Sequence, residues 1–350
     1  MRVSRAGAVI ERHNNFDALR IVAALTVVIG HAWPLTGLAS PPRIAGIPVF
    51  HLAVYVFFAI SGYLITSSWL RAPRVRRYLA ARVLRIFPAL VVVVLATIFV
   101  IGPLVTTSDS YFSSPETWGY LQNVTLLAVY DLPGVFENLP RAVVNGSLWS
   151  LGPEFVCYLC VLILGLALAR FPRARALVLT GLFIAVYFAF PEPLHFIVGS
   201  MAFFGVGSVI ASLRTPLPLW PALPALAVWI VAGSLWEPLS VPLGWLVVPY
   251  AVVALGTRST PVLRRFGRFG DVSYGTYLWG FPVQQTVNVV CGILPLWLDL
   301  LIVVPLTLGI AWISWHVVEK RALALKPGSK RADDGNRTPR ARSGRALRKS

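Results

Sequence analysis

Charged residues are scarce in this chain of 350 residues. They make up 13% of it, whereas 57% of the residues are hydrophobic, and the mean hydropathy is +0.72. A soluble domain is nearer a quarter charged, so the composition excludes an ordinary soluble protein and indicates a polytopic membrane protein. The net charge of +17 is no argument for a nucleic-acid partner, because Lys and Arg occur in short clusters between apolar runs. Eleven of these 31 cations lie in the last 31 residues.

Cysteine is rare as well, with three residues in the chain. Cys157 and Cys160 form a C-x-x-C, but it lies inside the apolar run FVCYLCVLILG, whereas a redox or metal site needs a polar, accessible loop. We interpret both as packing residues. The chain also lacks a glycine-rich phosphate loop, a cluster of metal ligands and a Ser-His-Asp pattern, so we expect no metal.

Long apolar runs, in contrast, are abundant. A run of about 20 apolar residues is long enough to span a bilayer. Ten such runs occur, at about 16–34, 46–68, 86–106, 148–169, 176–191, 195–213, 217–234, 240–256, 272–291 and 296–318. The sequence therefore predicts an all-α polytopic membrane protein with about ten transmembrane helices.

The distribution of Lys and Arg predicts how these helices are oriented. If the N-terminus is cytoplasmic, 28 of the cations fall in cytoplasmic segments and only Arg43 and Arg141 fall outside. This asymmetry predicts that both termini are cytoplasmic. It gives a short N-terminal segment (1–15), a membrane domain (16–323) and a basic tail (324–350) that we expect to be disordered and able to touch anionic lipid.

The first apolar run carries two ionisable side chains, Arg20 and His31. Eleven residues at about 100° each place them on one face of a helix, about 16 Å apart along its axis. A cation in the bilayer is costly, so such residues are functional candidates by default. The simpler alternative is that Arg20 reaches the inner surface and His31 lies at the outer interface.

Six stretches, in order along the chain, carry further recognisable motifs: FDALRIVAALTVVIGH, VYVFFAISGYLI, RRYLAARVLRIFPAL, NGSLWSLGPEF, GDVSYGTYLWGFPVQQ and SWHVVEKR. Together they resemble the acyltransferase-3 family, integral membrane O-acyltransferases of the polysaccharide and lipopolysaccharide O-acetylase type. The resemblance covers about 15–320. One position departs from it, because many family members have His where this chain has Gly280, which leaves His31 more alone as the candidate base.

The resemblance implies transfer of an acyl group, expected to be acetyl, from cytoplasmic acyl-CoA to a hydroxyl of a cell-surface or lipid-linked glycan. His31 would be the base, since the pKa of histidine lies near neutrality. Glu154 would orient or charge His31 or bind acceptor hydroxyls, and Arg20 would meet Asp17 or the incoming donor. The expected donor-side residues are Arg82, Arg85, Ser273, Tyr274 and Tyr277.

Each of these residues also has a structural alternative. Glu154 could cap a helix, Arg82 and Arg85 could be ordinary cytoplasmic charge, and the two tyrosines could belong to an interfacial aromatic belt. Acylation of a macrolide-type metabolite is the second choice of acceptor. From other classes, a transporter or lipid flippase and a non-catalytic scaffold remain open. We expect a multi-pass protein of the cell (plasma or inner) membrane, with the bilayer, acyl-CoA and a glycan as its partners.

Overall fold

The computed structural model describes residues 14–38 and 40–327 of the chain. These residues are mostly helical, and their only strands form a short antiparallel hairpin of β1 (Arg43–Ile44) and β2 (Ile47–Pro48). The N-terminal segment up to residue 13 and the basic tail from residue 328 lie outside the described residues, so the expectations for them are untested.

Thirteen α-helices follow one another in the described part of the chain. They are α1 (Phe16–Leu35), α2 (Val49–Arg71), α3 (Val75–Ala96), α4 (Gly102–Val105), α5 (Pro115–Gly119), α6 (Leu151–Ala167), α7 (Pro172–Ala189), α8 (Glu192–Leu213), α9 (Ala222–Leu235), α10 (Ser240–Gly256), α11 (Ser273–Cys291), α12 (Leu296–Ser314) and α13 (Lys320–Ala324). Short 3₁₀ turns cover Tyr120–Thr125, Gly146–Ser150, Glu237–Leu239 and Leu263–Phe269. Two π-helical segments, Thr97–Ile101 and Trp315–Glu319, continue α3 and α12.

Eight helical segments in the described residues are long and apolar enough to cross a membrane. A helix satisfies its own backbone hydrogen bonds, which is why apolar runs of this length adopt it in lipid. Two more helices occupy the remaining predicted runs: α9 is shorter, with 14 residues, and α11 carries buried Gln284, Gln285 and Asn288. The all-α polytopic architecture is thereby confirmed, and each of the ten predicted runs corresponds to a helix.

The outward faces of the bundle are apolar. Large hydrophobic side chains on α7, α9 and α12 are half exposed or more, among them Leu182, Val228 and Trp312. A patch of this kind would be a liability in water, but it is the expected surface against lipid chains. The helices thus present hydrophobic surface outward and keep most of their polar groups inside.

Close contact between α2 and α8 organises the centre of the bundle. A Cβ added at Gly62 would lie 2.0 Å from the backbone oxygen of Phe204, and one added at Gly207 would lie 2.4 Å from that of Ala59. Only glycine allows the two backbones to come so near. The hydroxyl of Thr66 also donates to Ser208 on α8 at 2.9 Å, so this pair of helices forms a rigid support for the polar residues on α2.

Candidate active site

A cavity of about 280 Å³ lies between α1, α2, α3, α6 and α11. Its lining combines ionisable and hydroxyl groups: Arg20, Ser61, Arg82, Arg85, Ser150, Glu154, Tyr158, Asp271, Ser273, Tyr274, Tyr277 and Lys326. The helical period brings these residues to one surface, since positions three or four apart on α2 and α11 share a face. Of the predicted catalytic and donor-side residues, all except His31 line this cavity.

Two arginines in the cavity are held by carboxylates. Arg85 pairs with Asp271 at 2.7 Å and with Glu319 at 3.5 Å, and Arg20 pairs with the same oxygen of Asp271 at 3.2 Å. The hydroxyl of Ser273 donates to the other oxygen of Asp271 at 2.6 Å. Two cations and two anions therefore form one network that ties α1, α3 and α11 to the π-helical segment at Glu319.

The partner of Arg20 differs from the sequence-based expectation. Asp17 lies three residues away on the same helix and was expected to meet it, but the ion pair of Arg20 is with Asp271, 251 positions along the chain. Asp271 lies two residues before α11, a helix that packs against α1. The tertiary contact supplies a carboxylate in a better position than the local one.

Glu154 faces this cavity and belongs to a hydrogen-bonded trio. One of its carboxylate oxygens accepts from the hydroxyl of Ser61 and, at 2.6 Å, from that of Tyr158. The expected pairing of Glu154 with His31 is not found: in the described residues, the polar contact of His31 is the backbone oxygen of Val27. Glu154 is turned toward α2 and its own helix instead.

The two tyrosines of α11 bind neighbouring backbone rather than an interface with water. The hydroxyl of Tyr274 donates to the carbonyl of Ile86 at 2.9 Å. That of Tyr277 donates to the carbonyl of Ser147 at 2.8 Å and contacts the hydroxyl of Ser150 at 2.7 Å. Both phenols are therefore fixed parts of the cavity wall, which speaks against the aromatic-belt alternative.

His31 lies in aromatic surroundings. Its ring centroid is 4.5 Å from that of Phe50 and 5.4 Å from that of Phe281. Its Nδ1 lies 2.8 Å from the carbonyl oxygen of Val27. Because a carbonyl can only accept, this contact requires a proton on Nδ1. The neutral ring then keeps the lone pair of Nε2 for another proton.

The cavity ends close to His31. On α2 its lining runs from Ile65 to Val54, and Phe50, which touches His31, comes one turn beyond Val54. On α11 its lining ends at Tyr277, and Phe281 comes one turn further. One turn is about 5.4 Å. Two independent helices thus place His31 about one turn beyond the end of the cavity.

Gly280 is the position where the sequence departs from the motif that it resembles. A Cβ added there would lie 2.4 Å from the Cγ2 atom of Val28 on α1. Since a β-branched side chain in a helix has essentially one rotamer, Val28 cannot move aside easily. The close packing of α1 on α11 therefore fills the space that a side chain at this position would need.

Three charged residues of the cavity region were not singled out from the sequence: Asp271, Glu319 and Lys326. The first two lie in the stretches GDVSYGTYLWGFPVQQ and SWHVVEKR, so the motifs contained the signal, whereas Lys326 was grouped with the tail. Cys157 and Cys160 are free thiols on α6, one buried and one half-buried. Within residues 14–38 and 40–327, no three His, Cys, Asp or Glu residues are grouped to hold a metal ion.

Comparison with known proteins gives a consistent result. The acyltransferase-3 model, described as an acyltransferase domain, matches residues 13–316. An O-acetyl transferase of Shigella phage Sf6 is 30% identical over 338 residues, which cover 90% of this chain and 97% of that protein. Nodulation protein 10 of Rhizobium leguminosarum bv. viciae is 30% identical over 352 residues, covering 89% and 94%. No solved structure matches the chain.

Proposed function

The chain belongs to the acyltransferase-3 family, and on that premise we propose that it transfers an acetyl group from acetyl-CoA to a hydroxyl of a cell-surface or lipid-linked glycan. The observation that carries the proposal is a cavity lined by charged residues that ends about one helical turn from His31. The acetyl group is favoured because one relative is named an O-acetyl transferase.

The cavity suits the donor. Its cations can attract the phosphates of CoA, and the pantetheine arm is long and narrow enough to follow the cavity toward His31. The basic residues around α1, α3 and α13 lie at the end that the positive-inside rule assigns to the cytoplasm, where acyl-CoA is made. We therefore assign the opening of the cavity near Lys326 to the cytoplasmic face.

His31 supplies the base in this proposal. Its Nε2 takes the proton of the acceptor hydroxyl while the hydroxyl oxygen attacks the thioester carbonyl carbon. The new C–O bond forms, the C–S bond breaks, and the imidazolium returns the proton to the leaving sulfur of CoA. The hydrogen bond from Nδ1 to Val27 selects the tautomer for this step, and a positioned base contributes about 10²- to 10⁴-fold.

The side of His31 remote from the cavity is where we expect the acceptor. His51 stacks on Phe196 with ring centroids 3.8 Å apart, and Trp149 lies 4.3 Å from the same ring. Aromatic rings of this kind can pack against the apolar face of a sugar. A glycan is preferred over a macrolide-type metabolite on this ground and on the resemblance to glycan O-acetylases.

The experiment follows labelled acetyl-CoA in membranes that contain the wild type or His31→Ala, and measures both CoA release and labelled surface glycan. His316→Ala is the matched control, because its Nδ1 also contacts the carbonyl four residues earlier, at 2.9 Å, whereas its ring packs against Trp312 and not against Phe50 and Phe281. We expect His31→Ala to lose transfer by at least 100-fold and His316→Ala to keep it.

Two other outcomes would change the assignment. If His31→Ala inserts normally and still labels the glycan, another group is the base. If the wild type releases no CoA with any glycan or macrolide acceptor, the donor assignment is wrong, and export of an unmodified substrate becomes the function to test.

A further inference from the structure

The four cations that line the cavity divide into two kinds. Arg20 and Arg85 are matched by the carboxylates of Asp271 and Glu319, and Glu319 is only 2% exposed. Their charge is thus largely neutralised inside the protein. Arg82 and Lys326 line the same cavity, and neither has an ion-pair partner within the described residues.

Arg82 is buried and incompletely bonded. Its side chain is held over the ring of Tyr78 at 4.3 Å and donates one long hydrogen bond, 3.3 Å, to the carbonyl of the same residue. Its Nε has no hydrogen-bond partner in the part of the chain that the structure describes, although the residue is only 7% exposed. A buried guanidinium without a counterion is costly, and stacking on one ring compensates only part of that cost.

Lys326 is a second cavity cation that has no ion-pair partner among the described residues. It follows α13, is half-buried and lines the cavity together with Leu323. Burial lowers the pKa of its ammonium group, and Arg85 and Arg82 lower it further, while Asp271 acts in the opposite direction. Cations that repel one another around one opening lower their joint free energy when an anion binds between them.

We propose that Arg82 and Lys326 bind the phosphates at the nucleotide end of the donor, whereas Arg20 and Arg85 are positioning residues held in ion pairs. The inference deepens the proposed function and rests on it for the identity of the ligand. In the sequence motif Arg82 and Arg85 look equivalent. The inference instead assigns phosphate binding to Arg82 and positioning to Arg85. It also adds Lys326, which no motif contains.

Chemistry favours this division. The guanidinium of Arg82 is held against the ring of Tyr78 and can donate two parallel hydrogen bonds to a phosphate. Lys326 carries a compact charge on a flexible side chain, which can reach a second phosphate. Arg85 would have to give up two carboxylates to do the same. Anionic lipid offers the same phosphate chemistry as a nucleotide, so the two sources must be separated by experiment.

The test measures binding of adenosine 3′,5′-bisphosphate to the purified full-length protein by calorimetry. Lys326→Gln is compared with Lys320→Gln, which removes the same charge from an exposed position six residues earlier that does not line the cavity. We expect wild type and Lys320→Gln to bind equally and Lys326→Gln to bind about tenfold more weakly. Arg82→Gln should weaken binding at least as much, and Arg82→Lys should restore part of it.

A kinetic experiment then separates phosphate binding from a general structural effect. With acetyl-CoA, Lys326→Gln should raise KM about tenfold at unchanged kcat. With S-acetyl-pantetheine, a donor that lacks phosphates, its KM should equal that of the wild type. Equal changes with both donors would overturn the inference.

The remaining outcomes are also decisive. If wild type and Lys326→Gln bind the bisphosphate equally, or if neither binds it, the inference is wrong. If they bind it equally but only the wild type retains phosphatidylglycerol through purification, the unmatched cations serve lipid instead. Transfer that fails with acetyl-CoA although the bisphosphate binds at Lys326 would contradict the proposed function and leave the anion site standing.

Discussion

The cavity around Arg85 and the surroundings of His31 lie within one bundle but are built in opposite ways. The first is a network of charges in which carboxylates hold guanidinium groups at 2.7–3.5 Å. The second has aromatic rings and one backbone carbonyl as its neighbours. Charges suit the binding of an anionic donor, whereas aromatic rings beside a half-buried base limit the water at a proton transfer. The two regions therefore have separable contributions to the proposed reaction.

Glu154→Gln should produce the largest effect of the variants in the cavity. The carboxylate accepts two hydrogen bonds, from the hydroxyl groups of Ser61 and Tyr158. An amide of the same shape is a weaker acceptor. A hydrogen bond to a charged group is worth about 1.5–3 kcal/mol, so we expect transfer to fall roughly tenfold to a hundredfold. Initial rates in membranes check this, with Tyr158→Phe as the variant that removes one of the two donors. An unchanged rate would mean that the hydrogen bonds of Glu154 with Ser61 and Tyr158 hold α6 against α2 and take no part in transfer.

Asp271→Asn should destabilise the protein by about 1–3 kcal/mol, because it removes the carboxylate that Arg20 and Arg85 share. Burial tends to raise the pKa of Asp271, but Arg85, Arg20 and the hydrogen bonds from Ser273 outweigh it and hold the pKa below 3.8. A lowered pKa gives stabilisation that is present above the unfolded value and is lost as the pH falls below it.

The unfolding temperature of the purified protein at pH 7 and at pH 3.5 measures this contribution. The difference between wild type and Asp271→Asn should be larger at pH 7. An equal difference at both values would show that the carboxylate is not charged in the folded protein.

Gly280→Ala tests the packing of α11 against α1, near His31. Its Cβ would lie 2.4 Å from Val28, and overpacking of this kind costs about 1–3 kcal/mol. The double variant Gly280→Ala, Val28→Ala should recover part of the loss. Gly309→Ala on α12 is the matched control, since a Cβ there meets no atom within 4 Å and should leave the unfolding temperature unchanged or raise it slightly. No loss in Gly280→Ala would mean that α1 can shift, and that a histidine could be accommodated there.

Glu237→Gln should have the smallest effect. It breaks the ion pair with Arg43 at 3.0 Å, whose side chains are 72% and 53% exposed. Exposed pairs contribute about 0–1 kcal/mol and are screened by salt. The unfolding temperature at low and high salt measures it. A fall in unfolding temperature as large as that of Asp271→Asn would contradict the expectation that an exposed ion pair stabilises the protein less than the ion pairs of the cavity do.

The local features of the fold were predictable. Each of the ten apolar runs corresponds to a helix, because the hydropathy of a short segment depends only on its own residues. The cytoplasmic position of the termini stays a prediction. The partner of Glu154 was not predictable, since the depth of a residue along its helix does not define the direction in which its side chain points.

The amino-acid sequence by itself determined that this protein belongs in a bilayer, where its helices run and to which family it belongs. Hydropathy is a sum over neighbours in the chain, and the family motifs are short and continuous. Only the tertiary structure decided that Asp271 holds Arg20, that Glu154 turns to Ser61, and that Arg82 and Lys326 line the cavity without an ion-pair partner among the described residues. Those relationships join residues up to 251 positions apart, and lateral helix packing, which no local pattern encodes, brings them together.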